Sequence, residues 1–191
     1  MPNNFLFDLL APFYDHVISP KEDGVLAGPL GLPSSGWMMD AGGGTGRASA
    51  SLVGEVEHLL ICDLSFSMLQ TAQEKGIQNL VQASATALPF ADGTFERIMV
   101  IDALHHMPEQ KKTVGEMLRT LKSSGRMLIE EPDISLFAVK LIALFEKLAL
   151  MKSYFHKKEE IKEMVESYGA AATMDSDGKG SAWVIAEKKR L

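Results

Sequence analysis

The densest chemistry in the chain sits at Asp40-Ala41-Gly42-Gly43-Gly44-Thr45-Gly46. Four glycines within five positions permit positive φ angles and let a ligand approach the main chain closely. The run follows a short apolar stretch, Trp37-Met38-Met39, and precedes small residues over 47–53. Read as strand, turn and helix, it aims free N–H groups and the positive end of a helix dipole at an anionic group. An ordinary tight turn has the same composition, so the glycines alone name no ligand. A second acid narrows the reading. Asp63 ends the next apolar run, residues 58–62, where a carboxylate can accept hydrogen bonds from both ribose hydroxyls of a nucleoside.

The acids follow a pattern. Four expected strands end in one: Asp40, Asp63, Asp102 and Glu130. In an open parallel sheet the carboxyl ends of the strands line the ligand crevice. Acids there suit hydroxyl and ammonium groups and repel phosphates. No Lys-Ser or Lys-Thr follows the glycines, which excludes a P-loop, and the spacing is G-x-G-x-G rather than the G-x-G-x-x-G of nicotinamide sites. His105 and His106 lie just past the fourth strand and are the candidate general bases. A purely structural role for both stays open. His105, His106, His156 and Glu131 do not have a diagnostic ligand spacing, and no metal is expected.

Strand-like and helix-like stretches alternate along the chain, the pattern of an α/β domain with a largely parallel sheet. The expected organisation is a single domain of 191 residues: a helical lead-in over 1–35, a core over 36–132, a helical segment over 133–168 and a closing strand pair over 169–191. Within it, residues 47–53 read as a helix, and 65–75 as a helix with Ser65 at its N-cap. Residues 109–121 read as an amphipathic helix burying Val114, Met117, Leu118 and Leu121, and 158–167 as a helix that Gly169 can cap. Residues 171–174 and 183–186 read as an antiparallel pair around Asp177-Gly178.

Hydrophobic residues make up 46% and charged residues 23%, and the net charge is −6. That balance disfavours a phosphate-rich partner, so no nucleic acid is expected. One cysteine, Cys62, excludes an internal disulfide and fits a cytoplasmic protein. The apolar stretch over 136–151 contains Lys140, Glu146 and Lys147 and is too short to span a bilayer, so no membrane span is expected. It reads as core, as a homodimer interface, or as an apolar wall over a substrate pocket through Phe137, Leu141, Phe145 and Phe155.

With these residues in place the chain resembles the class I S-adenosylmethionine-dependent methyltransferases, in their ubiquinone/menaquinone-biosynthesis-like (type 11) branch. Residues 40–46 resemble motif I, and 61–65 (I-C-D-L-S) the second motif. Residues 83–98, A-S-A-T-A-L-P-F-A-D-G-T-F-E-R-I, resemble the branch's L-P-F segment. Residues 102–108 resemble motif IV, 121–132 the stretch entering strand five, and 13–18 the Y-D entry. The resemblance implies a Rossmann-like, doubly wound seven-stranded sheet, mostly parallel with an antiparallel last strand, and helices on both faces. It implies S-adenosyl-L-methionine as cofactor and S-adenosyl-L-homocysteine as product. Asp40, Ala41, Gly42, Gly43, Gly44 and Gly46 would face the methionine part, Asp63 the ribose with Leu64 and Met68 nearby, and Ser84 and Ala85 the adenine. Asp102, Ala103 and Leu104 would lie near the sulfonium, and Tyr14 would close over the cofactor. Ser84 stands where the family often has Asp, and a hydroxyl is a weaker acceptor than a carboxylate.

The absence of an Asn/Asp-Pro-Pro-Tyr/Phe run and of a Pro-Cys at Asp102 points away from nucleobase methylation and toward a small-molecule acceptor, and the stretch over 136–151, read as a pocket wall, would suit an apolar one. Two alternatives remain at this level: a non-catalytic nucleoside-binding member of the same fold, and a nicotinamide-dependent oxidoreductase. The second would call for a proton-relay group such as a Tyr-x-x-x-Lys pair beside the cofactor.

Overall fold

A computed structural model describes residues 8, 11, 24–136, 139–140 and 153–189. After a single-turn helix α1 (Ala27–Leu30), the chain forms β1 (Ser34–Ala41), a 3-10 turn (Ser49–Leu52), β2 (Val56–Asp63), α2 (Phe66–Glu74) and β3 (Asn79–Gln82). It continues through β4 (Phe95–Ile101), a 3-10 turn (Leu104–His106), α3 (Gln110–Thr120), β5 (Leu121–Pro132), α4 (Lys158–Glu166), β6 (Ala171–Ser176) and β7 (Ser181–Glu187). The seven strands form one sheet in the order β3-β2-β1-β4-β5-β7-β6. β1 pairs in parallel with both β2 and β4, and β7 runs antiparallel to β5 and β6. This is the expected mostly parallel, doubly wound sheet with an antiparallel last strand. The order reverses between β1 and β4, and such a reversal opens a crevice at the carboxyl ends of the strands.

Strand alternation explains the two covered faces. Met39, Ile98, Val100, Met127 and Ile129 point to one face and meet Val114, Met117 and Leu118 of α3 and Ile161 and Val165 of α4. Their immediate neighbours Met38, Met99, Ile101 and Leu128 point to the other, against Leu26, Leu30, Leu52 and Trp183. Because both faces are buried, the central strands read as continuous apolar runs. Arg97 Nε donates to Leu30 O at 2.7 Å and Arg126 Nη1 to Pro29 O at 3.4 Å, tying α1 to the sheet.

Several expected elements form where the sequence places them. Ser65 caps α2, its Oγ accepting from Met68 N at 3.2 Å. α3 buries Val114, Met117 and Leu118 along one face, with Leu121 buried just beyond it. In the β6–β7 hairpin, Asp177 Oδ1 accepts from the N–H groups of Lys179, Gly180 and Ser181 at 2.8, 3.0 and 2.9 Å. Other elements differ. The expected helix over 47–53 is only a 3-10 turn, Ser49–Leu52. Its serines bond sideways and backward rather than supporting a helix: Ser49 Oγ donates to Asp40 Oδ2 at 2.6 Å and Ser51 Oγ to Ala48 O at 3.0 Å. Val53, extended at φ −62° and ψ 123°, then ends the turn. β5 begins at Leu121, directly after α3, with a register shift where Phe95 and Arg97 meet Leu121 and Arg126. The lead-in around Tyr14 and the apolar stretch carrying Phe137, Leu141 and Phe145 lie outside the described residues.

Candidate active site

The glycine turn leaves β1 at the point where the strand order reverses. Gly42 N donates to Cys62 O at 2.7 Å, tying the turn to β2. Gly44, at φ +54°, donates its N–H to Asp63 Oδ2 at 2.9 Å. A side chain at Gly44 would meet nothing closer than Met68 Sδ at 3.8 Å, so the residue faces open space. Gly46 serves the core instead. At φ +74° its missing Cβ would stand 2.4 Å from Ile77 Cδ1, so only glycine lets the chain pass beneath α2.

Around this turn lies an open cleft of about 1030 Å³, solvent mouth included, a size that admits a nucleoside with a side chain. It is lined from three directions: the turn after β1, the β2 end with residues 83–86, and the segment after β4 with Thr113 of α3. Of the expected cofactor residues, Asp40, Gly42, Gly43, Gly44, Asp63, Leu64, Met68, Ser84, Ala85, Asp102 and Ala103 line it. Ala41, Gly46 and Leu104 do not. Ala41 and Leu104 are core residues on one face of the sheet, and Gly46 packs against Ile61 and Ile77. Tyr14 lies outside the described residues. Sequence reasoning missed Thr45, Arg47, Cys62, Ser65, Thr86, Met107 and Thr113, all of which line the cleft. Ser65 and Thr86 sit beside residues the motifs single out. Arg47 directly follows the glycine motif, and its neighbourhood was the signal for it; Thr113 carries no comparable signal, because only the packing of α3 brings it there.

Among the described residues, charge in the cleft is concentrated in four side chains: Asp40, Asp63, Asp102 and Arg47. Asp40 is buried, and burial pushes its carboxyl up to about 7 against the opposing pull of the Ser49 hydrogen bond. Asp63 is also pushed up by burial, countered by hydrogen bonds from Ser65, Gly44 and Leu64 N–H. Its Oδ1 accepts from Ser65 N at 2.8 Å, so both oxygens are oriented by main-chain donors. Ser65 Oγ also donates to Asp8 Oδ1 at 2.5 Å, bringing Asp8 of the lead-in to the rim. Asp102, in the left-handed region at φ +52°, receives Arg47 Nη2 on its Oδ2 at 2.8 Å. Two buried oxygens of lining residues, Asp40 Oδ1 and Thr113 Oγ1, have no hydrogen-bond partner among the described residues. Orphan acceptors at a concave site are what a polar ligand satisfies. Ser84 Oγ lies 2.8 Å from Thr86 Oγ1 and accepts from Thr86 N at 3.3 Å, so its own turn competes for the hydroxyl.

The two histidines part ways. His106 lines the cleft, with Nδ1 3.1 Å from Ser153 Oγ. Burial, and secondarily His105, push its ring down to about 3, so it is neutral at pH 7 and a weak base. His105 is buried behind the lining. Its Nδ1 lies 2.5 Å from Glu131 Oε2, and its ring stacks on Phe155 at 4.3 Å and 17°. Glu131 also accepts from Ala103 N at 3.1 Å, Leu104 N at 2.7 Å and His105 N at 3.3 Å. One buried carboxylate therefore sets the whole loop after β4. Tyr154 N donates to His105 O at 2.8 Å and anchors the segment before α4 on the same loop.

A family model described as "Methyltransferase domain" matches residues 39–129, which carry the turn, Asp63 and the loop after β4. The ubiquinone/menaquinone biosynthesis C-methyltransferase UbiE of Klebsiella pneumoniae is 38% identical over 104 residues, covering 49% of this chain and 41% of that protein. Residues 39–129 thus carry a methyltransferase domain similar to that of the UbiE-type methyltransferases. The chain spans less than half the length of the curated relatives it matches. Among solved structures, a SAM-dependent methyltransferase of Thermotoga maritima covers 97% of this chain and 100% of its own at a TM-score of 0.81 and 17% identity. The [4+2]-cyclase SpnF covers 98% of this chain and 96% of its own at 0.75 and 15% identity. At such identities the likeness is one of fold, and a cyclase on that fold shows that architecture alone does not set the reaction. The methyltransferase domain implies S-adenosylmethionine as cofactor, and the cleft fits it. Asp63 stands ready for ribose hydroxyls, Gly44 leaves the backbone open, and the orphan oxygen of Asp40 suits a cationic amino group.

Proposed function

We propose that this chain transfers the methyl group of S-adenosylmethionine to a small, apolar acceptor. The observation that carries the reading is the Gly44–Asp63 contact: a main-chain turn open to the cleft, hydrogen-bonded at 2.9 Å to a carboxylate at the adjacent strand end. The cofactor supplies a methyl on a positively charged sulfur, already activated toward a nucleophile. The protein's task is then alignment, which supplies about 7–11 kcal/mol when reacting atoms are held in line. Bound there, the cofactor would supply a methyl to the acceptor's nucleophile, the carbon–sulfur electron pair staying on a neutral thioether and the acceptor's proton, where it carries one, passing to water. Asp63 and the glycine turn hold the nucleoside, while Asp102, Ala103 and His106 border the reacting end. With its ring at about 3, His106 serves as a neutral hydrogen-bonding wall rather than as a base at neutral pH. His105 positions the loop through Glu131 and Phe155. A small quinone-like acceptor is in keeping with the ubiquinone/menaquinone pathway named for the relatives.

Calorimetric titration with S-adenosylmethionine, S-adenosylhomocysteine and NAD tests the cofactor assignment. Binding of the first two and not the third is expected, and NAD binding without either overturns it. Turnover with a panel of quinols and phenols then separates catalysis from nucleoside binding alone.

A further inference from the structure

Among the described residues the cleft carries three carboxylates and one guanidinium, and that asymmetry assigns a role. A turn entering a long helix would receive an anionic ligand group at the helix N-terminus, but here the turn enters only the four-residue 3-10 turn Ser49–Leu52. So short an element has little dipole to offer. The positive charge at this end of the cleft comes from Arg47 instead. Its side chain is 8% exposed and spans from the glycine turn to Asp102 Oδ2 at 2.8 Å, and it lies close enough to Asp40 to pull that carboxyl downward. Arg47, Asp40 and Asp102 all line the cleft.

Resting on the cofactor reading above, we infer that Arg47 receives the α-carboxylate of the cofactor's amino-acid tail and that Asp102 is the positioning residue that holds it there. The chemistry matches group by group. An amino-acid nucleoside brings two hydroxyls, one ammonium and one carboxylate. Asp63 serves the hydroxyls, and the orphan oxygen of Asp40 serves the ammonium. A carboxylate placed among three acids would be repelled by every charged neighbour except Arg47. A guanidinium presents its donors as a planar fork that can serve two carboxylates at once, so the bond to Asp102 and the bond to the ligand are compatible. Thus Arg47 lets an otherwise acidic cleft accept a zwitterion.

The test compares two probes by calorimetry on the full chain: S-adenosylhomocysteine, and the same thioether lacking only its carboxylate. The wild-type protein should bind the first about 10- to 100-fold more tightly, the range expected for a charged hydrogen bond. Arg47→Met should weaken S-adenosylhomocysteine by a similar factor and leave the decarboxylated probe within about 2-fold, while Arg47→Lys should recover part of the loss. Equal weakening of both probes by Arg47→Met, or no wild-type preference between them, overturns the assignment. If Arg47→Met does not fold, the wild-type preference and Arg47→Lys still decide. Wild-type protein that binds neither probe overturns the cofactor reading itself, a result distinct from loss of discrimination.

Discussion

Removing the carboxylate of Glu131 should cost more stability than any other single polar change near the cleft. The residue is 3% exposed, and its side chain accepts from four donors: three successive main-chain N–H groups, at 3.1, 2.7 and 3.3 Å, and the His105 ring at 2.5 Å. Each hydrogen bond to a charged acceptor contributes about 1.5–3 kcal/mol, and a donor left buried without an acceptor costs about 1–3 kcal/mol. The 3.3 Å contact contributes least. Water entering the space left in Glu131→Ala relieves part of the loss, which leaves a net cost of about 4 kcal/mol. For a chain of this length that corresponds to a fall of about 8–16 °C in melting temperature. Glu131→Gln should cost about 1–2 kcal/mol, because its carbonyl can still accept from Ala103 and Leu104 while only the His105 side is mismatched. Urea and thermal unfolding of the three proteins measure this directly. A cost below about 1 kcal/mol for Ala, or equal costs for Ala and Gln, would refute the view that the carboxylate orders the loop through these donors.

Three further outcomes follow from the same geometry. Asp40 carries a carboxyl raised to about 7, so the folded state binds its proton more tightly than the unfolded chain does; its contribution is full below about 4 and is lost as pH rises through about 7. Asp40→Asn should therefore flatten the fall in stability between those limits, and identical slopes for both proteins in urea titrations would contradict it. Gly46→Ala should destabilise by about 3 kcal/mol, because φ is +74° and the new Cβ would stand 2.4 Å from Ile77 Cδ1. Gly54→Ala, at φ +93° with nothing within 4 Å, should cost only about 1 kcal/mol, and matching losses in denaturant melts would show that packing at Gly46 is unimportant. His106 should remain neutral down to about pH 4, so an NMR titration of its ring with a midpoint near 6.5 would contradict its burial.

Local patterns were legible without a structure. The apolar runs 37–39 and 58–62, the glycines between them and Asp63 follow one another along the chain, so spacing alone relates them. The amphipathic period of α3 and the Ser65 cap are equally local, and both form where they were expected. Motif spacing also carried the alternation that yields a mostly parallel sheet. The short turn after Gly46 was misread as a helix because small residues have acceptable helix propensity. What propensity leaves out is that Ser49 Oγ finds Asp40, a buried acid nine residues back on β1.

The charge logic of the cleft was decided only in three dimensions. Arg47 and Asp102 are separated by 55 positions and His105 and Glu131 by 26, so no periodicity couples them. The two adjacent histidines look alike in the chain, yet a rotation of one residue along the loop sends His105 behind the wall and leaves His106 on it. Burial then sets the titration of His106 and Asp40, and burial is a property of packed neighbours rather than of residue order. The sequence by itself singled out the glycine turn, Asp63 and the acids at the strand ends. The tertiary structure decided which of them line the cleft, in which protonation state, and that Arg47 is the cation beside them among the described lining residues, because these depend on strands and loops that become neighbours only when the sheet reverses its order between β1 and β4.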